Sequence, residues 1–172
     1  MLATALGISS SSLYAAFGTK AALFDEAVRT YAQRYSEIYA GAVPEPTVAR
    51  VIERLLTDSV NEFTRANEGH PGCLTSSAVM ADAPPTSNVR AYVAELQSSD
   101  EDLLTSRIER GIQEGDLTAG TNASLVTELV QTIWHGLSVR AELGATREEL
   151  LRIATTAPTL ARQDPLSQSR KA

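Results

Sequence analysis

The sequence is short of residues that build covalent or metal frameworks. Cys73 is its only cysteine, so no internal disulfide can form and a reducing cytoplasm is the natural setting. Histidine occurs twice, as His70 and His135. His70 and Cys73 make an H-x2-C pair, but a structural zinc site needs about four ligands and no second pair accompanies it. A helix-start turn is the better account, and no metal or other cofactor is expected. No apolar run approaches the roughly 20 residues of a membrane span, and the N-terminus has neither the charged start nor the apolar core of a signal peptide. Glycine-rich phosphate loops, Ser/His/Asp spacings and paired catalytic carboxylates are not recognisable, so enzymatic activity is not expected. Basic charge is scarce as well. The formal net charge is −6, which argues against a protein that coats nucleic acid. Charge can still be local: residues 1–20 carry Lys20 and no acid, which permits phosphate contact.

What the chain does have is apolar periodicity. Its 172 residues, 43% of them hydrophobic, suit one domain or a small module fused to a larger one. Apolar residues recur at helical spacing nearly throughout, which predicts an all-α protein. After Thr19, an N-cap, a stripe of Leu23, Phe24, Ala27, Val28, Tyr31, Tyr35 and Ile38 runs to about residue 39. "GAVPEP" (41–46) is a hinge, because its prolines break a continuing helix. Thr47 caps the next helix, whose stripe is Val48, Val51, Ile52, Leu55, Leu56, Ser59 and Phe63. "NEGHPG" (67–72) ends it, and "CLTSSAVMA" forms a short helix before the break "DAPPTS". A long helix from Ser87 carries Val89, Tyr92, Leu96, Leu103, Ile108 and Ile112. Residues 122–143 carry Leu125, Leu129, Val130, Ile133, Trp134 and Leu137. Gly144 stops that helix, and Thr146 with Glu149 opens the last one as a capping box. The tail beyond Pro158 is expected to fray.

Residues 2–17 read as helix, turn, helix. "LATALG", with Leu2 and Leu6 on its inner face, ends at Gly7, which tolerates a positive φ. Ile8 is expected to point inward and Ser9 to cap the second helix. Leu13 and Phe17, four apart, form its buried face and leave Ser10, Ser11, Tyr14 and Ala15 outward. Small outward residues let a helix lie deep in a DNA major groove. Hydroxyls and Lys20 suit phosphate contacts, which fix register without reading sequence. A serine run by itself is more often a solvated turn, Tyr14 by itself a half-buried core residue, and Lys20 by itself a solvated charge. The flanking residues decide between these readings.

"ALGIS", "LYAAF" and "GTKAALF", in this order and spacing, resemble the TetR/AcrR family of bacterial transcription regulators. The resemblance is specific over residues 2–24. It is looser beyond, where the helix lengths, "HPGCL" and "GLSVRAELGATREELL" are similar to the family's regulatory domain. It implies a TetR-like all-α fold, with a truncated helix-turn-helix region and connecting helix over 1–39 and a ligand-binding and dimerisation domain over 40–172. The implied function is a ligand-responsive DNA-binding regulator, a repressor released from double-stranded operator DNA by a small molecule. Carried over by position, Ser10, Ser11, Ala15 and Ala16 fall where members contact bases, and Ser12, Tyr14 and Lys20 where they contact phosphates. Members carry a first helix and most of a second before the segment corresponding to "LATALG". For the chain as printed, this gives the expectation that it dimerises but binds DNA poorly. The alternative function is a helical ligand-binding or dimerising protein without DNA binding.

Two further expectations concern residues 40–172. The last two helices are expected to form a homodimer interface as a four-helix bundle, through Val130, Ile133, Leu137 and Ala141 with Leu150, Ile153, Ala157 and Leu160. A cavity for a small apolar or aromatic effector is expected between the helices of residues 47–67, 72–82, 87–115 and 122–143. Phe63, Leu74, Tyr92, Leu96, Leu104 and Trp134 would supply its walls, and Asn61, Ser77, Gln131 and His135 its polar groups. The competing account is that all ten fill a core, His135 included.

Overall fold

A computed structural model of the chain describes residues 7–65, 71–80 and 89–162. Leu2, Leu6, His70 and the side chain of Leu160 lie outside the described residues. The described chain is helical, with no strand. Its helices are α1 (Ser10–Phe17), α2 (Lys20–Ala42), α3 (Val48–Phe63), α4 (Leu74–Met80), α5 (Val89–Gln113), α6 (Ala123–Glu142) and α7 (Arg147–Arg162).

Local cap chemistry sets most of the starts. The side-chain oxygens of Ser9, Thr19, Thr47 and Asn122 each accept from a backbone amide in the first turn of α1, α2, α3 and α6, satisfying donors that no carbonyl of the helix can reach. At α7 the reciprocal pair forms. Thr146 N donates to Glu149 Oε2 at 2.8 Å, and Glu149 N donates to Thr146 Oγ1 at 3.3 Å. Two ends differ from expectation. α2 runs through Gly41 to Ala42, because the first residue unable to donate a helical hydrogen bond is Pro44. α7 passes through Pro158 to Arg162.

The core is built around α3, which packs along α7 and against α2 and α6. Its predicted stripe is buried in full, joined by Val60. α5 lies across α6 and α2, α4 touches α2 and α5, and α1 packs on α2 through buried Leu13. Where spacing admits two rotations, some predicted core residues turn out exposed. Leu103 and Leu129 face outward while Leu104 and Val130 take the inward positions. Ile8, in the turn before α1, is also exposed.

The hinge between α2 and α3 is fixed from the side. Arg107 of α5 is buried, and its Nε and Nη2 donate to the carbonyls of Val43 and Glu45 at 3.2 and 2.9 Å. Asp116 Oδ2 accepts from Val48 N at 2.5 Å. Two charged groups thus satisfy the backbone where α2 stops and α3 starts. Hydrogen bonds of this charged kind contribute about 1.5–3 kcal/mol each.

Candidate nucleic-acid interface and ligand cavity

α1 is a two-turn helix held by its neighbours rather than by its length. Gly7 and Gly18 bracket it with φ of 65° and 72°, values at which a side chain would be strained. Leu13 is buried and Phe17 half-buried, while Ser10, Ser11, Ser12, Tyr14, Ala15 and Ala16 are exposed, as is Lys20 at the start of α2. The serine hydroxyls are mutually ordered. Ser9 Oγ lies 2.8 Å from both Ser11 Oγ and Ser12 Oγ and accepts from Ser12 N. All seven residues carried over from the family motif are exposed, and five of them are serine or alanine.

The residues expected around a cavity divide among several places. Leu96, Gln131 and Trp134 line a small cavity with Tyr35, Tyr39, Thr75, Val93, Gln97 and Asp100. Leu74 and Ser77 instead border an open hollow of about 520 Å³, with Tyr31, Glu62, Pro71, Gly72, Cys73 and Glu142. Phe63 backs Trp134, ring centres 5.2 Å apart. His135 stands behind Gln97, its Nε2 3.1 Å from Gln97 Nε2, and burial lowers its pKa. Leu104 is core, and Tyr92 lies under the Arg29 guanidinium. Asn61 is a correction. It is exposed on α3, on the side away from the cavity, and its Oδ1 accepts two hydrogen bonds from Arg147.

This cavity measures about 20 Å³, room for one water molecule. Its lining is mostly apolar, as expected, with polar groups from Tyr35, Tyr39, Gln97, Asp100 and Gln131 set into it. Gln131 Nε2 donates to Tyr39 Oη at 2.5 Å, and Trp134 Nε1 donates away from the cavity to Ser59 Oγ at 2.8 Å. Burial, then the Asp100 charge, raises the Tyr39 pKa. Asp100 itself has no hydrogen bond or ion pair among the described residues. Burial and then Glu101 push its carboxyl up to about 6. Spacing marks Asp100 for this face, seven residues from Val93 and four from Leu96 along α5, but it is one acid of the run "SSDED". One wall separates cavity from hollow. Tyr31 Oη and Tyr35 Oη are 3.0 Å apart across it, and Cys73 Sγ and Thr75 Oγ1 2.8 Å.

The expected dimer residues also need correction. Val130, Leu137, Ala141, Leu150 and Ala157 are buried within the subunit, turned toward the core in which α3 lies. Ile133 is half-buried and Ile153 exposed, and they border an open hollow with Arg140, Glu149, Arg152, Thr156 and Ala157. Leu129, Val139 and Leu143 extend the exposed apolar surface along α6. Since α6 is apolar over most of its circumference, spacing alone could not say which face lies inward.

An exposed two-turn helix after a glycine turn, carried on an all-helical body, is the arrangement a helix-turn-helix regulator presents. Known proteins agree. A cysteine mutant of the TetR family transcriptional regulator CifR, complexed with 26bp double-strand operator DNA, is 32% identical with TM-score 0.78, over 92% of this chain and 83% of that one. A putative TetR transcriptional regulator from Rhodococcus sp. RHA1 is 33% identical with TM-score 0.71, over 94% and 86%. The HTH-type transcriptional repressor BdcR of Escherichia coli (strain K12) is 25% identical over 154 residues, 88% of this chain and 72% of BdcR. No protein-family model matches. The chain belongs to the TetR family, whose members are transcriptional regulators and not enzymes. These relatives favour the regulator over a helical binding protein without DNA function.

Asp100 makes stability depend on pH. Its folded pKa of about 6 lies above the ordinary 3.8, so the folded state binds more protons than the unfolded between those values. Stability therefore falls as pH rises through that window. At pH 7.5, Asp100→Asn is expected to stabilise the protein by on the order of 1 kcal/mol, discounted because the carboxyl keeps some solvent contact. That corresponds to roughly 2–4 °C in Tm. The gain should shrink at pH 5, as thermal unfolding at the two pH values will show.

Proposed function

We propose that the chain is a DNA-binding transcriptional repressor, acting in the cytoplasm as a homodimer and leaving its operator when a small effector enters the cavity. The observation that carries this reading is the double role of α2. Its N-terminal end adjoins α1 and Lys20, while Tyr31, Tyr35 and Tyr39, farther along the helix, face the hollow and the cavity. At 23 residues it spans about 34 Å as one rigid rod. A tilt imposed at Tyr35 and Tyr39 is therefore carried to the recognition helix. The relatives support DNA as partner: CifR was complexed with operator DNA, and BdcR is described as an HTH-type repressor. DNA reading in turn favours a dimer, since two recognition helices must address half-sites about 34–36 Å apart or a multiple of that. The exposed faces of α6 and α7 suit the dimer: Leu129, Ile133, Val139, Leu143 and Ile153 leave apolar surface uncovered, rimmed by Arg140, Glu149 and Arg152.

Two measurements test the reading. Duplexes selected from a random pool by the unmodified chain serve as probes in fluorescence anisotropy. Ala15→Glu puts a carboxylate on the small-residue face of α1 and should abolish selective binding while leaving Tm unchanged. Lys20→Ala should weaken binding to all duplexes alike. It should also make the slope of log affinity against log salt shallower by roughly 0.9 for each phosphate that is no longer neutralised. Unaltered binding by both variants would remove α1 from the interface. In sedimentation at micromolar concentration the chain should run as a dimer and Ile153→Arg as a folded monomer; a dimeric Ile153→Arg would place the interface elsewhere.

A further inference from the structure

Resting on the effector-cavity reading above, we propose that the effector is a small organic cation with an apolar or aromatic body, its charged head set against Asp100 and its body directed past Tyr35 toward the open hollow. Three features of the site lead there. First, the Asp100 carboxylate lines a cavity without a hydrogen bond or counter-ion among the described residues. A lone carboxylate in such a place destabilises the fold, so it marks a site that something else completes. Second, the groups sharing the lining are aromatic: Tyr35, Tyr39 and Trp134, with the Tyr35 and Trp134 rings edge-on at 5.3 Å. Aromatic faces beside a carboxylate attract a cation through both the ring quadrupole and the charge, most strongly where water is excluded.

Third, the sign of charge is consistent along the whole route. Among the described residues, neither the small cavity nor the open hollow has a lysine, arginine or histidine in its lining, while together they have Asp100, Glu62 and Glu142. Glu62 is already neutralised by Arg34 and Arg65, at 2.8 and 2.9 Å. The Ser77 hydroxyl donates to Glu142 Oε1. An anionic effector would meet repulsion at both ends. A neutral one would bury the Asp100 carboxylate further and leave it unpaired. A cation relieves that cost.

Size determines how such a ligand acts. About 20 Å³ admits one water, whereas the hollow beyond the wall offers about 520 Å³, within the usual range for ligand sites. Tyr31 and Tyr35 of α2, and Cys73 and Thr75 at the start of α4, form the wall between them. A ligand whose head meets Asp100 and whose body occupies the hollow must part this wall, which moves α2 relative to α4. The ligand then binds the parted conformation and not the closed one, the condition for shifting a population.

The test uses the intact chain and three probes of similar shape: benzyltrimethylammonium, its uncharged isostere neopentylbenzene, and phenylacetate. Binding is read by calorimetry and by the fluorescence of Trp134, the single tryptophan. Benzyltrimethylammonium should bind about ten-fold or more tightly than either analogue. Asp100→Asn should cut its affinity about ten-fold and leave neopentylbenzene unchanged, with Tm confirming that the variant is folded. Leu96→Trp, which fills the cavity, should abolish binding in calorimetry. Equal or better binding of the uncharged or anionic probe, or indifference to Asp100→Asn, overturns the cation and leaves an occupied cavity standing. Binding undiminished in Leu96→Trp overturns the cavity as well. Failure of all three probes to bind overturns the proposal.

Discussion

α2 must stay one unbroken rod while its two ends face different chemistry, and the rest of the structure follows from that requirement. Its first turn carries Lys20 beside an exposed helix; its later turns contribute Tyr35 and Tyr39 to the small cavity. A helix broken at Gly41 would decouple its end from the hinge. Instead it continues to Ala42 and is stopped by Pro44. Arg107 then holds the hinge carbonyls of Val43 and Glu45. α5 brackets the rod from both ends. Val89 and Val93 pack on Val28 and Phe24 near the DNA side, and Arg107 grips the far end. Asp100 lies between these anchors on the same helix.

This arrangement explains why polar groups interrupt the mostly apolar lining of the cavity. A cavity lined only with leucine and phenylalanine would gain stability by collapsing, since side chains around a void forgo dispersion attraction. Tyr35, Tyr39, Gln131 and Asp100 resist that outcome, because their polar groups need partners of suitable geometry. The carboxylate among them costs folding free energy at neutral pH, consistent with the general exchange of stability for function at binding sites.

The elements were legible in the sequence because caps are local chemistry. Ser9, Thr19, Thr47 and the Thr146–Glu149 box each act within one turn, and each is found where the residues put it. The motif residues of α1 were legible for a related reason: Leu13 and Phe17 fix which face is covered, and the exposed set follows. Rotation about a helix axis was not legible where the apolar surface is wide. α6 and α7 expose Ile153 and Leu129 and bury Val130, Leu137 and Leu150, a choice set by α3, which no local pattern specifies. Asn61 is close in sequence to Phe63, yet two residues apart along a helix point to different sides, so that closeness misleads. Asp100 was hidden by the acids around it, although its spacing from Val93 and Leu96 places it on the inward stripe.

The central claim is mechanical: occupying the cavity moves the recognition helix through α2. Pulsed EPR measures it directly, with spin labels at position 15 of both subunits (Ala15→Cys in a Cys73→Ser background), compared with the same chain carrying Leu96→Trp to fill the cavity permanently. The account predicts that filling the cavity displaces the distance between the two labels. An identical distance distribution in the filled and unfilled proteins, both folded and dimeric, would contradict it.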